Sequence, residues 1–127
     1  MSERSWPFLS RILLRSLSTL LTICLLVQFF IAGIAAMTDP GWWNYHSAWV
    51  AIFQWLVIPL PILAWLGGPA RGWRTLIACI PLLQIALQYV LAHRAIEGHL
   101  AIGLGLHSLD AGLLLLIAAS LAVGLFD

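Results

Sequence analysis

Four stretches of this chain are long enough and apolar enough to cross a bilayer, and that leaves few folds open to it. A hydrocarbon core about 30 Å thick needs about 20 apolar residues in helical form, and the stretches at about 13–37, 46–66, 73–93 and 100–126 qualify. Lipid offers backbone N–H and C=O groups no partner, so each stretch must be a helix. Between them they use most of the 127 residues. The expectation is therefore one all-α domain, residues 1–127, folded as an integral membrane four-helix bundle. Short links make sequential helices antiparallel neighbours, which gives an up-down topology.

Composition agrees and excludes several functions. The chain is 62% hydrophobic and 9% charged, where soluble domains run to about 45–50% and about 25%. No length remains for a separate catalytic domain. A net charge of +1 without a basic run gives no footing for nucleic acid. There is no HExxH, no glycine-rich phosphate loop and no nucleophile beside a base. Enzyme activity by the chain alone is not expected. Cys24 and Cys79 lie in apolar segments without metal-binding spacing and read as small packing residues.

The links carry turn chemistry: Asp39-Pro40-Gly41, then Gly67-Gly68-Pro69 with Gly72, then Arg94 to His99 with Glu97 and Gly98. Pro59, Pro61 and Pro81 fall inside spans, where each removes a donor and is expected to kink its helix. The apolar run from Leu17 to Met37 exceeds the about 7–15 residues of a signal-peptide core, so it reads as a retained first helix. All six cations are arginines. Arg4, Arg11, Arg15, Arg71 and Arg74 gather at one side, and Arg94 stands at the other. The positive-inside rule then places both termini in the cytoplasm of a bacterial cell, with the chain in its inner membrane. Trp42, Trp43 and Tyr45 suit the outer interface, and Trp6, Trp65 and Trp73 the inner one.

That orientation puts His46, His93, His99 and His107 near the outer face. Ionisable groups at membrane depth are functional candidates, and imidazoles from different helices can ligate a metal or haem iron. At about 100° per residue, His46 and Gln54 share a face of span two, and His99, Gly103, His107 and Asp110 share one on span four. Span one gathers Cys24, Gln28, Ala32 and Ala35 on one face, and span three pairs Gln84 with Gln88. The glutamines read first as interhelical hydrogen-bonding residues. His93 points about 180° from Gln84 and, with His99, ranks below His46 and His107 as a ligand. His107 is expected about two turns into its span. Asp110, three residues on, is placed to orient His107, to pair with Arg94, or to be carried protonated. Gly33, Gly103 and Phe53 offer small or flat surfaces beside a macrocycle, though small residues are also ordinary close-packing positions.

These residues carry a resemblance. Gln28-Phe29-Phe30-Ile31-Ala32-Gly33, then His46, then Leu106-His107-Ser108-Leu109-Asp110-Ala111 resemble a family of small bacterial four-helix membrane proteins. Its pattern is Gln-x-x-x-Ala-Gly, a histidine opening helix two, and Leu-His-Pro-x-Asn-Ala opening helix four. Here Ser108 replaces the proline and Asp110 the asparagine. Paired histidines on such a bundle are similar to those of membrane b-type cytochromes. The resemblance implies haem b held by His46 and His107; the helical faces would set Gly33, Phe53, Gly103 and Asp110 around it.

The leading expectation is a haem-b subunit that transfers single electrons near the periplasmic face, working with a redox partner or other membrane subunits. The alternative is an accessory subunit of an energy-converting or photosynthetic complex, binding a chlorophyll-type pigment or no cofactor. A copper or zinc site from His93, His99 and His107 is a third reading. A transporter is a fourth, disfavoured by four spans with few charges and no repeat.

Overall fold

The computed structural model describes residues 5–68 and 71–126. The readings placed on Arg4, on Pro69 and on the Arg71 side chain lie outside what is described. Every element is helical: α1 Ser5–Met37, α2 Trp43–Phe53, α3 Pro59–Leu66, α4 Arg71–Ile96 and α5 Gly103–Ala122. Short 3-10 turns at Pro40–Trp42 and Gln54–Val57 complete the chain. Four spans result, at Trp6–Met37, Pro40–Leu66, Gly72–Ile96 and Gly103–Ala122. Only 22–28% of an 18-residue apolar window in each span is buried inside the bundle, and Leu, Ile, Val and Phe side chains face outward. Such a surface belongs in lipid, so this is a multi-pass membrane protein.

Span boundaries depart from expectation at both ends of the chain. The first helix starts at Ser5 rather than near residue 13. The helix thus extends ahead of the apolar stretch, and there the Ser10 Oγ donates to the Trp6 carbonyl at 2.9 Å. The last helix starts at Gly103, not 100, because Gly98 turns the chain at φ +76° and residues through Ile102 complete the turn. His107 therefore sits about one turn into α5, not two.

Helices pack α1 on α5, α5 on α4, α4 on α3, and α3 back on α1. Their side-chain bonds alternate between two ends. Arg11 bonds Gly67 and Arg15 bonds Val123 at one end. Gln28 bonds His46 and Gln88 bonds His107 at the other. The chain thus runs up and down in antiparallel order. The core between them is Leu14, Leu21, Leu25, Phe53, Val57, Leu60, Ala64, Ala78, Ile85, Leu114 and Ala118.

The second span is broken, and the break positions the site. Pro59 opens α3 at its first turn, where a missing N–H is harmless. The four residues before Ile58 tighten to a 3-10 turn. α3 follows α4, but the backbone of α2 leans on α1 and stands away from α4 and α5. Pro81, by contrast, sits inside an uninterrupted α4.

Candidate functional site

Where α2 leaves α4, the bundle encloses a cavity of about 360 Å³ bounded by all four spans. Gln28 and Ala32 reach it from α1, His46 and Phe53 from α2, Gln88 and Tyr89 from α4, and His107 and Ala111 from α5. Its walls are mainly apolar, with a few polar groups converging at one level, as in a small-molecule site. Tyr89 and Ile96 on its α4 side remain 47% and 82% exposed, so the cavity opens sideways where lipid lies.

His46 and His107 face each other across it, with ring centres 6.4 Å apart and planes inclined by 51°. His46 stands on the first turn of α2, and Trp43 packs edge-on against its ring at 5.3 Å. Its backbone carbonyl accepts a 3.2 Å bond from Gln28 Nε2, and Trp49 Nε1 ties the same helix to the Cys24 carbonyl at 2.9 Å. His46 Nδ1 is buried without a hydrogen-bond partner, and so is Gln28 Oε1. Buried polar atoms are ordinarily satisfied, so two orphans on one cavity are notable.

His107 is held differently. Its Nδ1 lies 3.2 Å from the backbone oxygen of Gln88. A carbonyl can only accept, so Nδ1 carries the proton and the neutral ring keeps its lone pair on Nε2. Gln88 Nε2 returns a 2.9 Å bond to the His107 carbonyl and a 2.7 Å bond to Asp110 Oδ2. Gln84 Nε2 donates to Asp110 Oδ1 at 3.3 Å. Asp110 therefore orients neither the His107 ring directly nor Arg94; its oxygens receive two glutamine amides.

The other expected residues separate cleanly. Phe53 and Ala32 line the cavity, and His93 does too, although its ring is largely exposed and bonds Glu97 at 3.1 Å. His99 is exposed in the loop. Gly33 is exposed, with nothing within 4 Å of an added Cβ. Gly103 packs instead on α4, where a Cβ would sit 2.7 Å from that of Ala95 and 3.1 Å from the Leu91 carbonyl. Gln54 bonds the Ala51 carbonyl of its own helix, because the 3-10 turn carries it off the face of His46. No cluster of three or more His, Cys, Asp or Glu exists among the described residues; the imidazoles that face each other across the cavity are the pair His46 and His107. The expected three-histidine copper or zinc arrangement of His93, His99 and His107 does not form.

The fold and the site define a class: a four-span membrane bundle with a mainly apolar cavity between its helices near one end, into which a few polar groups converge. Residues 28–96 match a family of unknown function, DUF6220, and the chain belongs to that family. The match takes in Gln28, His46, Gln84 and Gln88 and ends before α5. No curated protein and no solved structure matches the chain.

Proposed function

We propose that this chain is a membrane haem-b subunit, in which His46 and His107 would hold the haem iron and the haem would supply one-electron transfer. The observation that carries the reading is the pair itself. Two metal–nitrogen bonds of about 2 Å part the nitrogens by about 4 Å, and each ring centre lies roughly 1 Å farther back, so the centres fall roughly 6 Å apart. The observed separation is 6.4 Å. The unpartnered His46 Nδ1, and the lone pair that the Nδ1 bond to Gln88 leaves on His107 Nε2, also fit a ring pair able to take a ligand. The alanines at 32, 92 and 111 leave flat walls beside it.

Bound between two imidazoles, the iron would have no open position and would supply electron transfer rather than substrate chemistry. The protein's part is to fix both rings and exclude water from the cavity. The paired histidines resemble those of membrane b-type cytochromes, and that resemblance enters as analogy alone. Arginines at the far end support a cytoplasmic location for that end, which puts the cavity at the periplasmic face of a bacterial inner membrane. The partner is then a redox protein or a further membrane subunit on that side.

An absorption spectrum of the protein purified from haem-supplied cells, oxidised and dithionite-reduced, tests the proposal. The expected result is the sharp α band of a reduced six-coordinate b haem. A colourless protein that takes up no added haem contradicts it. A strongly fluorescent magnesium pigment would assign the pair to an accessory light-harvesting role instead.

A further inference from the structure

We infer that Asp110 is a positioning residue for His107, acting through Gln88 and setting which ring nitrogen faces the cavity. The inference deepens the ligand role proposed for His107 and rests on that reading for its purpose, though not for its geometry. Three polar side chains meet at membrane depth: Gln84, Gln88 and Asp110 are 8%, 9% and 7% exposed. Groups so buried need partners, and these three partner one another, with Gln84 Oε1 left unbonded. No cation of the described residues is bonded to the carboxylate.

The order of the bonds gives the network its direction. Gln88 Nε2 has two hydrogens and meets two acceptors, the His107 carbonyl at 2.9 Å and Asp110 Oδ2 at 2.7 Å. Turning the amide over would set its oxygen against both, so the amide has one orientation. Gln84 Nε2 holds the far carboxylate oxygen at 3.3 Å and keeps Asp110 aimed at Gln88. The same Gln88 residue offers its backbone oxygen to His107 Nδ1 at 3.2 Å. Gln88 and His107 thus exchange a reciprocal pair of bonds between α4 and α5, and Asp110 secures one side of it. While the pair holds, the ring carries its proton on Nδ1 and presents Nε2 to the cavity. Groups that orient a ligating histidine in this way are worth about 10–100-fold in metal affinity.

Asp110→Asn keeps the shape and replaces one acceptor oxygen with a donor. The asparagine then satisfies one glutamine amide and opposes the other. If it keeps Gln84, Gln88 is released and the clasp on His107 loosens.

Nitrogen NMR of histidine-labelled full-length chain, made without haem supply and held in lipid nanodiscs at alkaline pH, reads the ring directly. His107 is assigned by its absence from His107→Gln. The wild type should show His107 wholly as the Nδ1–H form, and an Nε2–H wild type overturns the inference whatever the variants do. Asp110→Asn and Gln88→Met should each give a mixture of both forms, while Gln84→Met keeps mostly the wild-type form. A merely structural staple predicts a lower melting temperature for Asp110→Asn with the tautomer unchanged, and that result also overturns it. Haem titration of Asp110→Asn should show affinity reduced about 10–100-fold. A wild type that shows Nδ1–H but binds no haem would end the haem proposal and leave the positioning role standing.

Discussion

At one end of the bundle three arginines reach backbone carbonyls, and at the other two histidines stand across an open cavity. Arg11 Nε bonds the Gly67 carbonyl at 2.6 Å, and Arg15 Nη2 bonds that of Val123 at 3.0 Å. Arg74, 1% exposed, reaches both Gly67 at 3.1 Å and Phe126 at 3.3 Å. These carbonyls belong to the C-terminal ends of α3 and α5, where helix dipoles favour cations. Gly124 turns at φ +72°, and its missing Cβ leaves the place where the Arg15 guanidinium lies. Polar groups here close the structure. At the histidine end, His46 Nδ1 and Gln28 Oε1 remain buried without partners beside a cavity. The arginine end also leaves Thr75 Oγ1, beside Arg74, and Ser18 Oγ, a turn from Arg15, buried without partners, but neither lines the cavity, and a polar end of that kind is explained by folding. One that keeps orphaned atoms around a space asks for a ligand.

If the two ends divide structure from function, substitutions should divide in the same way. The largest effect belongs to the ligands. His46→Ala or His107→Ala should weaken haem retention by more than about 100-fold, beyond the usual effect of an orienting group, with little change in melting temperature. His93→Ala should leave retention near wild type, and a His93 effect equal to theirs would break the comparison. Next comes the arginine end. Arg74→Leu should destabilise the bundle by about 1.5–3 kcal/mol through its lost charge-assisted bonds, measured by thermal unfolding in detergent, while haem affinity per folded molecule stays constant.

Two glycines sharpen the contrast at smaller scale. Gly103→Ala drives a Cβ to 2.7 Å from Ala95 Cβ and 3.1 Å from a backbone oxygen. Overpacking of this kind costs typically about 1–3 kcal/mol, and because α5 carries His107, haem affinity should fall with it. Gly33→Ala meets nothing within 4 Å. It should be neutral or stabilise α1 by up to about 1 kcal/mol, with binding unchanged. A loss of haem from Gly33→Ala would return that glycine to the site.

The bundle was legible because lipid removes alternatives: four apolar lengths can only be four helices. The break in span two was half legible. Pro59 announced it, but the backbone tightens earlier, at Gln54–Val57, since a helix ahead of a proline adjusts before the ring. Pro81 carries the same local signal inside a continuous helix, so the residue alone does not decide. Helical phase found His46 and His107 because a histidine on an inward face is rare and expensive in lipid. It could not find the partner of Asp110. Phase orders residues around one helix, whereas that partner depends on how α4 is turned toward α5. Gly33 and Gly103 looked equivalent for the same reason, and only packing separates them.

The central claim is that one iron sits between His46 and His107. Electron paramagnetic resonance of haem-loaded protein at cryogenic temperature tests it most directly, on the wild type and on His46→Ala and His107→Ala. The account predicts a low-spin ferric signal of two imidazole ligands at one haem per chain, lost or converted to high spin in both variants. A wild type that gives only high-spin haem, or a low-spin signal that survives both substitutions, would contradict it.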